Sequence, residues 1–152
     1  MQVLNFPEYE FHIQEQEQKK VIFDPIRKKF IPLTPEEWVR QHCIEFIVEY
    51  FGVSTNLISI ERQIRVNGNP KRFDIVTFNQ LGQPHLLVEC KAPEVDISPK
   101  TLTQAGQYLT KIDSSYVWLT NGLQHVWMLK SDGKFEIIEF PLTLNHGKTT
   151  SN

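Results

Sequence analysis

The chain has 152 residues, a formal charge of −2, 40% hydrophobic and 22% charged residues, the size and proportions of one globular domain. No apolar run reaches the roughly 18 residues of a membrane span, and the N-terminal MQVLNFPEYEFHIQEQEQ lacks the basic-then-apolar order of a signal peptide, so a cytoplasmic location is expected. A pI near 6.2 argues against a dedicated nucleic-acid clamp, though not against a site where a divalent cation supplies positive charge beside phosphate.

Residues 1–33 form a polar arm with a Gln/Glu/Lys-rich stretch followed by VIFDP, expected to pack on the domain edge as a hairpin or extended strand. Thr34, Pro35 and Glu37 make a capping box that opens a helix to about Phe51, with Gly52 as its stop. Val39, Cys43, Ile47 and Tyr50, joined by Ile44, Phe46 and Phe51, give that helix a wide apolar stripe. Residues 57–66 partly alternate, and Asn67-Gly68-Asn69-Pro70 turns the chain into a strand at 73–78. A turn at Leu81-Gly82 leads to a strand at 85–91. Ser98-Pro99 opens a second helix to about Ile112, with Leu102, Ala105, Leu109 and Ile112 at helical spacing. Residues 116–120 read as a buried strand broken by Asn121-Gly122, and 124–129 with 135–140 flank Ser131-Asp132-Gly133 as a closing hairpin. A domain over 34–143 and a disordered polar tail over 144–152 complete the plan. Helix, three strands, helix and further strands predict an α/β sandwich with a mixed sheet.

The chemistry concentrates in Lys71-Arg72-Phe73-Asp74-Ile75-Val76 and Leu87-Val88-Glu89-Cys90-Lys91. Alternation along a strand puts Glu89 and Lys91 on one face and Cys90 on the other. A turn centred on Leu81-Gly82 places Asp74 directly opposite Glu89, where facing Cβ atoms lie roughly 4.5–5.5 Å apart. Two carboxylates so close repel each other; Lys91 relieves part of that, and a hard cation such as Mg²⁺ relieves more. An exposed ion-pair ladder on a solvated sheet face is the plain alternative. Against it, Leu86-Leu87-Val88 is a continuous apolar run typical of a central strand, and Ala92-Pro93 ends that strand with its charges at the C-terminal rim.

RFDIV followed by ECKAP, with the Glu fifteen positions after the Asp, resembles the PD-(D/E)XK nuclease superfamily. The ordered set TPEEWVRQ, KRFDIV, LLVECKAP, TQAGQY and LTNG resembles the N-terminal nuclease domain of type I restriction enzyme R subunits, over roughly residues 20–130. The first motif reads Phe73-Asp74, without the Pro that names the superfamily. The resemblance implies a restriction-endonuclease-like sandwich, a mixed central β-sheet flanked by helices. It also implies Mg²⁺-dependent hydrolysis of DNA phosphodiester bonds, endonuclease before exonuclease, with Mn²⁺ able to substitute. Asp74 and Glu89 would ligate the metal with the Cys90 carbonyl as a further ligand, and Lys91 would orient the attacking water and offset charge on the phosphorus. An acidic residue of the first helix often completes such sites; Glu37 is the choice, with Gln41 one turn later on its face. Gln104 and Tyr108 match the Gln-X-X-X-Tyr motif that borders the DNA path in relatives, and Lys71 and Arg72 are the basic candidates for phosphate.

Other signals are weaker. His12, His42, His85, His125 and His146 show no mutual ligand spacing for zinc. Cys43 and Cys90 fit buried reduced thiols, and Trp38, Trp118 and Trp127 fit the core. No Gly-rich phosphate loop exists, so the chain itself carries no ATP motor, and a partner protein that delivers DNA is implied. Two rivals stay open at the level of sequence: a catalytically inactive nuclease-fold module that binds DNA or protein, and a structural domain whose charges form an ion-pair network.

Overall fold

A computed structural model describes residues 1–66, 68–109, 112–139 and 144. Two sheets and two long helices make up the described chain. A three-stranded antiparallel sheet comprises β1 (Ile13–Gln16), β2 (Lys19–Asp24) and β3 (Lys29–Pro32). Then follow α1 (Pro35–Glu49), β4 (Ile58–Val66), β5 (Asn69–Phe78), β6 (Pro84–Cys90), α2 (Pro99–Leu109), β7 (Tyr116–Thr120), β8 (His125–Ser131) and β9 (Lys134–Ile138). The last six strands form one sheet in the order β4-β5-β6-β7-β8-β9. Its pairings are antiparallel except β6–β7, which is parallel and bridged by α2, as a crossover connection requires. No described helix is long and apolar enough to cross a membrane.

Local signals explain the elements. The Thr34 hydroxyl accepts the Glu37 N–H at 3.0 Å and Pro35 takes the first helical position, so α1 starts where a cap can satisfy an orphan donor. The β1–β2 hairpin turns through Glu17 and Gln18, both at positive φ, as a two-residue primed turn demands. The arm is therefore more than a single edge hairpin: it builds a sheet of its own, and Ile22 at its centre is fully buried.

The six-stranded sheet has a helix on each face. Ile75, Val88, Trp118 and Trp127 stand opposite one another across β5, β6, β7 and β8 and pack with Val39, Cys43, Ile44 and Ile47 of α1. The next row, Val76, Leu87, Val117 and Met128, faces the other way and packs with Ala105 and Ile112 on the α2 side. This is the α/β sandwich with a mixed central sheet, flanked by helices, and its alternate rows are those the period-2 pattern predicts. Leu144 corrects the expected tail: it is buried, 6% exposed, in the α1-side cluster. Residues 145–152, like the Tyr108 side chain and the end of the second helix, lie outside the described residues.

The N-terminal segment closes the α1 side. Asn5 N–H donates to the Gly122 carbonyl at 2.8 Å, and Leu4 and Phe6 pack into the α1 cluster. Gly122 has φ +88°, and a Cβ there would meet the Leu4 side chain at 3.0 Å and Val39 at 3.1 Å. Strain and overlap act together, so Gly122→Ala should lower the unfolding free energy by more than about 1 kcal/mol, read from urea unfolding followed by tryptophan fluorescence.

Two histidines lie under the same segment. The His42 Nδ1–H donates to the Trp38 carbonyl at 2.8 Å, and the His125 Nε2–H donates to the Asn5 carbonyl at 2.9 Å. Burial holds both imidazoles below their ordinary value of 6.5. In the unfolded chain both protonate near 6.5 while the folded protein resists, so stability is full above that pH and declines as pH falls below it. Each contributes up to about 1.4 kcal/mol per pH unit in that window. Urea midpoints measured between pH 7.5 and 5 should fall, and His42→Gln with His125→Gln should flatten the decline.

Candidate active site

The centre lies where β5 and β6 part. The β5–β6 register pairs Ile75 with Val88, Val76 with Leu87 and Thr77 with Leu86, the alignment that sets Asp74 against Glu89. The ladder stops one step short of that pairing. The Asp74 carboxylate instead accepts the Cys90 N–H through Oδ2 at 2.7 Å and Arg40 Nη2 through Oδ1 at 3.1 Å. Side-chain alternation breaks here too: Phe73 and Ile75 of one strand pack on opposite faces. On the other side of β5 the ladder to β4 skips the same level, joining Ile60 to Ile75 and Arg62 to Phe73. The intervening Glu61 has φ +54°, a conformation that non-glycine residues rarely adopt in a strand and that clusters at functional sites.

Each acidic side chain has a basic neighbour. Arg40 joins Asp74, and Lys71 Nζ lies 3.2 Å from Glu89 Oε1. Burial, the largest influence, raises the Asp74 carboxyl above its ordinary value, and the Glu89 charge adds to it. The Cys90 N–H, Arg40 and Lys91 pull the other way without overcoming them. Glu89 and Lys91 thus both act on the charge of Asp74. Lys91 follows β6 directly, its backbone N–H donating to the Thr120 carbonyl of β7 at 2.8 Å. Cys90 points away from them into the core, buried and unlinked, its sulfur 3.9 Å from that of Cys43 on α1.

The α1 assignments change. Glu37 is buried, and its carboxylate receives Arg27 Nη2, Arg40 Nη1 and Gln41 Nε2 at 3.0–3.1 Å. It therefore touches the centre only through Arg40, and it completes only half of the capping box. Glu36 instead faces the centre: burial and the Asp74 charge raise its carboxyl, and Lys91 pulls it down. Gln41, expected to meet substrate, is 1% exposed, its amide bonded to Asp24 and Glu37; a buried tie between two carboxylates cannot reach DNA.

Among the remaining candidates, Lys71 stands beside Glu89, whereas Arg72 is exposed on the opposite side of β5, across from Gln63 of β4. Gln104 is exposed on α2. Sequence reasoning passed over Arg40, Glu61 and Glu36. Arg40 stands three and four residues after Glu37 and Glu36, the spacing at which helical side chains meet, so the signal was present within TPEEWVRQ. Its guanidinium touches Glu37 and Asp74 at 3.1 Å, Glu36 at 3.6 Å and Glu61 at 3.7 Å.

The donor set suits a hard cation with few protein ligands. No group of three or more His, Cys, Asp or Glu able to hold a metal occurs among the described residues. Mg²⁺ characteristically takes one or two carboxylates and fills its shell with water and substrate phosphate. A carboxylate raised by burial, with a second acidic group adding to it, is the environment such a cation relieves.

Residues 35–141 match the family described as type I restriction enzyme R protein N terminus (HSDR_N). No curated protein matches the chain. Among solved structures, a DUF820 protein of Anabaena variabilis ATCC 29413, described as a candidate nuclease, aligns at 15% identity with a TM-score of 0.48. The alignment covers 90% of this chain and 81% of that one.

Proposed function

For a chain that belongs to the type I restriction enzyme R protein N-terminal family, we propose that it is a nuclease domain hydrolysing DNA phosphodiester bonds with Mg²⁺, for which Mn²⁺ can substitute. The supporting observation is the state of Asp74: fixed by one backbone and one guanidinium donor, close in charge to Glu89, and raised by burial. Asp74 and Glu89 hold the cation, and the Cys90 carbonyl supplies a further oxygen. A cation held there would supply polarisation of the scissile phosphate and a lowered pKa for a coordinated water.

The protein's own residues do the rest. Lys91, at the rim of β6, orients the attacking water and offsets the negative charge that grows on the phosphoryl oxygens. Glu36, whose carboxyl feels the Asp74 and Lys91 charges and lies 3.6 Å from Arg40, takes the helix role first read for Glu37. Lys71 sits at the edge of the centre and meets the DNA backbone; Gln104 and Tyr108 of α2 border the path. DNA is the substrate and a partner protein delivers it, since the −2 charge gives little long-range attraction for phosphate.

A second reading has one observation in its favour. Arg40 on Asp74 and Lys71 on Glu89 already neutralise both acids, as they would in a non-catalytic module that binds DNA or protein.

Closed circular plasmid separates the two, because only an endonuclease can nick it. With Mn²⁺ or Mg²⁺ the purified protein should convert supercoiled plasmid to open circles, and Asp74→Ala should reduce the rate to that without metal. Binding without nicking would favour the second reading. Lys71→Ala should weaken DNA binding irrespective of base sequence and lower the slope of log affinity against log salt by about one, measured by fluorescence anisotropy of a labelled duplex.

A further inference from the structure

Asp74 is the last link of a chain of alternating charges that begins in the N-terminal sheet. Asp24 closes β2 with no exposed surface. Its Oδ1 accepts the N–H groups of Ile26 and Arg27 at 2.7 and 2.8 Å, and its Oδ2 accepts Arg27 Nε at 2.7 Å and Gln41 Nε2 at 3.0 Å. Arg27 Nη2 passes on to both oxygens of Glu37 at 3.1 Å, Glu37 to Arg40 Nη1, and Arg40 Nη2 to Asp74. The order of signs is minus, plus, minus, plus, minus.

Such a chain transmits position. A guanidinium is a rigid fork, so one that grips two carboxylates fixes the distance and tilt between them. Arg40 Nε has no acceptor among the described residues, so the carboxylates at its two outer nitrogens set its orientation. Glu37 is in turn held by Arg27 and Gln41, and both of those are anchored on Asp24. Removing an interior charge leaves its buried neighbours uncompensated, and they must regroup. Asp24 and Arg27 lie before residue 35, outside the segment that matches the family.

We propose that Asp24, Arg27 and Gln41 are positioning residues of the active site: through Glu37 they set the orientation of Arg40, and through Arg40 that of Asp74. The N-terminal sheet is on this account a working part of the cation site. The inference rests on the reading that Asp74 holds a divalent cation.

Two measurements on the full chain test it: Mn²⁺ affinity by calorimetry, and amide hydrogen exchange at Cys90, whose N–H reports Asp74 without any metal. Arg27→Gln should weaken Mn²⁺ binding 10–100-fold, as loss of an outer-shell partner does, and speed exchange at Cys90 while Leu87, in the ladder of the same strand, stays protected. Arg27→Lys should recover part of both. In an Arg40→Gln background, Arg27→Gln should add nothing, because the chain is already cut. Gln41→Leu, which removes no charge, should shift both readouts in the same direction by less, and serves if Arg27→Gln fails to fold; Glu15→Gln, on exposed β1, should shift neither. Native Mn²⁺ affinity and native Cys90 exchange in a folded Arg27→Gln or Gln41→Leu protein would overturn the proposal. So would simple addition of the Arg27 and Arg40 effects. If the native protein binds no Mn²⁺, the nuclease reading falls, and Cys90 exchange alone decides the wiring.

Discussion

The Cys90 amide and the Arg40 guanidinium approach the Asp74 carboxylate from two different layers, the sheet and the helix above it. Most of what is distinctive about the architecture follows from that convergence. A carboxylate this covered is tolerated only with donors in place. Asp74 can reach the Cys90 N–H only if the β5–β6 ladder ends at Ile75 and Val88. β6 nevertheless stays in register, because its other edge is tied to β7 through Cys90, level with Thr120. Arg40 can reach Asp74 only if α1 sits directly over this opening, and the Cys43–Cys90 sulfur contact shows how closely helix and strand pack beneath it.

Much of this geometry was legible in the residues, and the reason is locality. The α1 start follows from Thr34 and Pro35, the hairpins from Asn-Gly and Asp-Gly turns, and the faces of the central strands from their alternation. The register that aligns Asp74 with Glu89 follows from the turn together with one irregularity beside it. The hairpin end pairs Phe78 with Pro84, and a bulge between Thr77 and Phe78 shifts the ladder by one residue into the register of Ile75 with Val88.

What could not be read depends on contacts distant in sequence or on backbone that composition does not announce. Glu61 gives no hint of a left-handed conformation in mid-strand, since the residues that favour one are glycine and asparagine. Glu36 and Glu37 are adjacent, and the choice between them is decided by Arg27, which draws Glu37 inward from a loop ten residues earlier. Residues 13–20 are polar, and their composition announces an edge hairpin or extended strand but not a sheet of three strands. Their strands form because Val21, Ile22 and Asp24 of β2 are buried against the domain, which is tertiary context overriding weak local preference. Leu144 escaped notice for a similar reason: a lone leucine in a polar tail carries no periodicity, yet it lies in the core.

The bond from Asn5 to Gly122, together with that from His125 to the Asn5 carbonyl 120 residues away in sequence, has a bearing on how the molecule comes into being. During synthesis residues 4–11 emerge long before β7 and β8 do, so Phe6, Tyr9 and Phe11 wait without their final neighbours until those strands are made. Closing so wide a loop is entropically slow. The sandwich around the central strands can therefore assemble first, with the aromatic strap seated last over Trp118 and His125.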